Sequence, residues 1–308
     1  MSNVEKTSTA QAPFDDPTSD VTLRSSDGVD FHVFKFILSF VSPVFKDMFT
    51  LPQGSQSDIP SVPVILVEEN SITLNSLFLL CYPASTPAFN NLEEGKGVLE
   101  AAKKHDMGAA LSRAADLVMT QFVSTNSLEL YALSCKFGWQ HHAQTAAAQT
   151  LQIKDLGRPS SEFVGLQDIT GFDYHRLLFY HYTCGAVAQA VARSLNWLQP
   201  SDNNMTMWVC PEETTNSKAT YVANLGARAI TLWFDEYLVS SGKELLTRPC
   251  ESTLLESESY ERAISNALSC YYCRSTGVAQ HMGKFRTLFA AQVKKAVAIV
   301  KLSPPRAS

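Results

Sequence analysis

Residues 20–49 read DVTLRSSDGVDFHVFKFILSFVSPVFKDMF, and the changes of period along them decide the fold of the first third of the chain. Val21 and Leu23 alternate with polar neighbours, the pattern of a strand with one buried face. Asp27-Gly28 offers a pair that tolerates positive φ in a tight turn. Val29, Phe31 and Val33 resume the two-residue period on a returning strand. After Phe34 the period becomes helical, with Ile37, Leu38 and Val41 on one stripe. Ser42-Pro43 reads as an N-cap followed by proline at the first helical position, where a missing N–H costs nothing. Val44, Phe45, Met48 and Phe49 then form a second apolar face. The expectation is a hairpin followed at once by two short helices.

That order of elements resembles the BTB/POZ domain, a protein-interaction fold. The positions that carry the resemblance are Asp20-Val21, Phe31, Phe34-Lys35, Leu38, Ser42, Phe45 and Met48-Phe49. One position departs from the pattern: the family's usual histidine is Phe34 here, and His32 lies two residues earlier. By strand alternation His32 faces away from Val33.

Outward from this stretch, the sequence divides into five parts. Residues 1–17 are polar and unpatterned and are expected to be disordered. Residues 18–120 make the BTB/POZ-like domain. After the loop PQGSQSDIPSVP it needs a short strand at Val64–Val67, a helix capped by Ser71, and helices around Val98 and Leu111. Residues 121–158 read as a helical hairpin turned at Gly138, similar to the extension that follows BTB domains in ubiquitin-ligase adaptors. Residues 159–302 read as all-α, with helices at 173–198, 220–239, 255–274 and 284–301 and loops at 199–218 and 240–252. Residues 303–308 are expected to be a disordered tail. The fold class is therefore α+β, a BTB/POZ-like domain followed by an all-α region. The layout resembles fungal BTB proteins with a helical C-terminal half.

The composition supports a globular chain of about two domains: 308 residues, 45% apolar and 18% charged. A net charge of −5 supplies no basic field to recruit nucleic acid. Seven widely spaced cysteines fit reduced thiols in the cytoplasm or nucleus better than a disulfide framework. The polar, acid-containing first twenty residues do not read as a signal peptide. No apolar run reaches a membrane-spanning length, since the best, 184–198, is broken by Arg193 and Asn196. Asn204-Met205-Thr206 matches a glycosylation triplet and is expected to be accidental.

Chemistry-bearing residues are few. Cys270-x-x-Cys273 is a metal-like pair, with His281 a candidate third ligand and Cys250 or Cys210 a candidate fourth. The bland alternative places both cysteines on the buried face of a helix with Ile264, Ala267 and Leu268, as small hydrophobes. His141-His142 cannot aim at one metal from adjacent helical positions. The last 47 residues carry eight Lys or Arg and no acid, and the final helix sets Phe285, Phe289, Val293 and Val297 on one face. That helix suits either an acidic or membrane partner, or docking on its own core with its lysines near Glu251, Glu256, Glu258 and Glu261. No GxSxG, HExxH, GxGxxG or GxxxxGK[ST] is present, so no catalytic residue, small-molecule substrate or cofactor is expected.

The resemblance implies a non-catalytic, self-associating adaptor or scaffold. Its homodimer or partner surface would involve Asp20 and Lys35 as a charged pair, with Val21, Met48 and Phe49; the alternative places Met48 and Phe49 in the core, and for Phe49 the core reading is preferred. It also implies other protein partners, a cullin-type ubiquitin ligase scaffold among them. Many adaptors of that class carry a hydrophobic-x-Glu element after the Met-Phe pair, where this chain has Leu51-Pro52-Gln53. The competing reading is a zinc-binding transcriptional regulator or structural metalloprotein using Cys270 and Cys273.

Overall fold

The hairpin forms where the alternation requires it: β2 (Val21–Arg24) pairs antiparallel with β3 (Val29–Val33), and Gly28 takes φ +81° in the turn. The computed structural model describes residues 7–51, 62–82, 85–158, 164–199, 210–211, 218–222 and 226–304, with side chains for all but 218–222 and 226–228. Asn204-Met205-Thr206 and Gln53 lie outside the described residues. The chain divides into two compact units, Met1–Asn126 and Ser127–Ser308.

In the first unit the sheet order is β1-β3-β2-β4. The register sets Val21 opposite Val33 and Leu23 opposite Phe31, and all four are buried. The other face pairs Thr22 with His32, whose side chains meet at 3.2 Å, and Arg24 with Asp30 in a two-pronged ion pair. Helices α1 (Lys35–Val41) and α2 (Pro43–Thr50) follow without a loop between them. β4 (Val64–Leu66) then joins β2 in parallel, and α3 (Ser71–Leu79), α4 (Leu92–Lys104) and α5 (Gly108–Phe122) complete the unit. The cap of α3 is Asn70, one residue before the expected Ser71; its side chain accepts from the Thr73 N–H at 2.9 Å.

One expectation fails at the start of the chain. Residues 7–17 are ordered: β1 (Ser8–Thr9) runs parallel to β3, and Phe14 is fully buried. The Phe14 ring lies 5.3–5.9 Å from those of Phe31, Phe78 and Tyr82. A two-residue strand held by backbone hydrogen bonds leaves no apolar pattern, so the single phenylalanine is its one trace in the sequence.

Among the described residues the second unit is helical apart from one ribbon. α6 (Ser127–Lys136) and α7 (Gln140–Thr150) form the expected hairpin, with Gly138 at φ +72° between them. They belong to the same compact unit as the later helices. Those helices are α8 (Gly171–Arg193), α9 (Leu232–Thr247), α10 (Glu251–Leu255), α11 (Glu258–Ser269), α12 (Tyr271–Ser275) and α13 (Val278–Ala298), preceded by a short 3-10 turn at Val164–Asp168. The ribbon is β5 (Lys218–Val222) with β6 (Gly226–Ile230), over residues expected to open a helix at 220.

The expected loop 240–252 is helical through Thr247, because Gly242 serves packing and not a turn. A methyl on Gly242 would stand 3.3 Å from the Ala192 methyl of α8, and one on Gly185 would meet the Leu246 carbonyl at 2.5 Å. The small residues let α8 and α9 approach closely. The C-terminal segment is tied down as far as Ser303, whose carbonyl accepts from the buried Arg176 guanidinium at 2.6 and 2.9 Å. Among the described residues no helix is long and apolar enough to cross a membrane.

Candidate protein-interaction surface

The first helix is fixed at both ends by residues distant in sequence. At its start the Asp20 carboxylate accepts from the Lys35 backbone N–H at 2.7 Å, and the Phe34 N–H donates to the Tyr82 hydroxyl at 2.9 Å. Burial pushes that hydroxyl up to about 12, so it stays protonated. At the junction with α2, Ser42 Oγ accepts from the Phe45 N–H at 3.0 Å and donates to the His105 carbonyl at 2.5 Å. A helix of only seven residues has little stability of its own, so these anchors set its direction.

Its apolar residues divide between two faces. Leu38 is fully buried. Phe36 and Phe40 are 79% and 82% exposed, and their rings stack at 6.5 Å. At 3.6 residues per turn the two lie about 40° apart and each about 160° from Leu38. Val44 and Leu51 add further exposed apolar area on α2 and just past it. Single exposed hydrophobes are ordinary, but two stacked rings on one short helix form a contiguous patch.

The residues expected at this surface distribute unevenly. Asp20 is exposed, and its contact with Lys35 runs through the backbone N–H instead of the ammonium, making it a helix cap. Val21 is a correction: it is fully buried in β2 opposite Val33, with no surface to offer a partner. Met48 and Phe49 are half-buried, and Phe49 stacks on the fully buried Phe45 at 5.9 Å. Phe36 and Phe40 were not among the expected residues. Their signal was a Phe-x-x-x-Phe spacing on the stripe opposite Leu38.

Behind α2 lies a buried polar cluster. Glu69 receives Lys104 at 2.9 Å and His105 at 3.1 Å, and the His105 ring stacks on Phe45 at 4.5 Å. Burial alone would raise the Glu69 carboxyl, but the hydrogen bonds from His105 and Lys104 outweigh it and bring it down to about 2. The cluster joins the segment after β4 to the end of α4.

In the second unit, Cys210, Cys270 and Cys273 converge, with sulfurs all within 4.8 Å of one another. The helix expected to carry both Cys270 and Cys273 on one face ends at Ser269; Cys270 is extended, at φ −79° and ψ 126°. Burial, reinforced by the neighbouring thiols, pushes the Cys273 thiol up. His281 is not among the converging ligands, and Cys250 sits apart beside the Ser252 and Thr253 hydroxyls. The basic final helix docks on its own unit: Phe285, Phe289 and Val293 are buried, and Lys294 pairs with Glu251 at 2.8 Å.

Comparison with protein families places the first unit. Residues 12–121 match the family model of the BTB/POZ domain. The match takes in the buried Phe14 and ends within α5. Domains of this family are protein-interaction modules that self-associate and bind other proteins. No curated protein shows significant similarity to the chain.

Proposed function

We propose, from the premise that residues 12–121 are a BTB/POZ domain, that this chain is a non-catalytic adaptor or scaffold that pairs with a second copy of itself through the outer face of α1. The observation that carries the reading is the stacked, exposed pair Phe36 and Phe40. Each large aromatic ring can bury roughly 150 Å² or more, so four rings from two copies supply on the order of 600 Å². A stable interface needs about 1,000 Å² or more. The rings would therefore be its centre, with Val44, the Lys35 stem and the Asp20 edge as its rim. An uncharged aromatic centre with charge at the margin is the usual anatomy of such contacts.

Asp20 and Lys35 contribute by geometry in this reading. The carboxylate that caps α1 sets the angle at which the two rings face a partner. Met48 and Phe49 belong to the margin, where half-burial leaves them partly available. Each dimer would carry two copies of the helical second unit, the region available for other proteins. A cullin-type ubiquitin ligase scaffold is one such partner class, and its contact would centre on Met48, Phe49 and the segment containing Gln53.

Two differently tagged full-length copies, co-expressed and captured through one tag, test this reading. The second tag should be recovered, and the double variant Phe36→Asp/Phe40→Asp in both copies should abolish recovery. At about 2 kcal/mol or more for a central aromatic, each substitution weakens pairing roughly thirtyfold. Undiminished recovery by the folded double variant would remove α1 from the interface. Mass spectrometry of the same captures names further partners, and a cullin recovered with wild type but not with a Met48→Asp variant would make the protein a ligase adaptor.

A further inference from the structure

We propose that Cys210, Cys270 and Cys273 bind one zinc ion as three thiolates, with a non-cysteine donor in the fourth position. The site belongs to the second unit and is independent of self-association.

The spacing of the sulfurs fits such an ion. A tetrahedral zinc with sulfur ligands at about 2.3 Å holds those sulfurs about 3.8 Å apart. Cys210 Sγ and Cys270 Sγ stand 3.5 Å apart, and all three sulfurs fall within 4.8 Å. The three can therefore enclose an ion of this size with small adjustments. Their separation exceeds by far the disulfide bond length of about 2.05 Å, and the three residues carry free thiols.

Local structure points the same way. Cysteines used only as small hydrophobes have no reason to turn their sulfurs toward a common point. Here α11 stops at Ser269, Cys270 takes an extended conformation, and α12 starts again at Tyr271. That break aims the Cys270 sulfur at Cys273, whose backbone N–H donates to it at 3.5 Å. Cys210, 60 residues earlier in the chain, is buried against the same point. Such a convergence of distant cysteines closes a long loop, and a metal would hold it closed.

Ligand chemistry narrows the ion. Three thiolates select soft or borderline cations, and an iron–sulfur cluster is typically held by four protein ligands. Zinc with three cysteines and one nitrogen donor is an ordinary structural site, and three protein ligands with water in the fourth position is an ordinary open one. On binding, three protons leave the thiols for solvent and the site acquires a net single negative charge.

The test uses the full chain expressed with zinc supplementation and freed of loose metal by gel filtration. About one equivalent of zinc should remain, and a thiol-blocking mercurial should release it. Cys210→Ser and Cys273→Ser should each lose it, while Cys81→Ser, in the first unit, should keep it. Should the serine variants fail to fold, cobalt titrated into the metal-stripped wild-type chain gives a second readout. Thiolate-to-cobalt charge transfer with the intensity of three sulfurs, and tetrahedral visible bands, are expected. Trace zinc without a cobalt band would overturn the proposal, as would stoichiometric copper or a mass showing a Cys210–Cys270 disulfide.

Discussion

Among the described helices that carry phenylalanines four residues apart, α1 and α13 use them in opposite ways. In α13, Phe285 and Phe289 are fully buried, with Trp197, Phe234 and Tyr237 within 5.0–6.5 Å. In α1, Phe36 and Phe40 point away from Leu38 and stay about four-fifths exposed. The spacing is the same, so spacing alone does not say whether a pair of rings is core. What differs is the remainder of the stripe. In α13 the pair continues through Val293 and Val297 into a long inward face, whereas in α1 the inward residue is Leu38 and the rings occupy the far side. It is this pair, off the main stripe, on which the proposed contact with a second copy rests.

The contrast predicts separable effects. Phe285→Ala should be the most damaging to stability, at about 3–5 kcal/mol, because it opens a cavity among packed rings. All four tryptophans lie after residue 126, so tryptophan fluorescence follows the second unit alone. Unfolding followed this way should shift strongly for Phe285→Ala and not at all for Phe36→Asp. Equal shifts would erase the distinction between the two pairs.

A smaller effect belongs to the first unit. Glu69 titrates near 2 when folded and near 4.5 otherwise, so its stabilisation is complete above about pH 4.5. It drains away as the pH falls from 4.5 toward 2. Glu69→Gln should cost on the order of 2 kcal/mol at neutral pH and flatten that acid limb. Amide exchange in α2 and α4 reads it directly, and an unchanged acid limb would show that the Lys104–Glu69–His105 cluster contributes little. The smallest effect is expected for Lys294→Ala. Its ion pair with Glu251 is largely exposed, so no measurable change in thermal unfolding should result, and a large one would mean that α13 is held by charge more than by its rings.

Much of the first unit was legible because its signals are local. Asp27-Gly28 marks the turn, alternation marks the strands, and Ser42-Pro43 marks the start of α2, all of which the structure contains. β1 was not legible, because a two-residue strand is held by its backbone and leaves only Phe14 as a clue. Of the proposed surface, Asp20 and Lys35 came from the family resemblance, whereas Val21 shows its limit: a matching position says nothing of which face a side chain takes. In the second unit Gly242 looks like a loop residue until the close approach of α8 is known. The Cys270–Cys273 pair was visible as spacing, but the choice of Cys210 over Cys250 and His281 depends on a long-range closure that no local pattern encodes.

Sedimentation equilibrium over a dilution series, comparing wild type with Phe36→Asp/Phe40→Asp, tests the central claim most directly. Pairing through α1 predicts a wild-type mass twice the 33.9 kDa of one chain, and the single-chain mass for the variant, with tryptophan-monitored unfolding of the second unit unchanged. A variant that remains dimeric, or a wild type that is a single chain at every concentration, would contradict it.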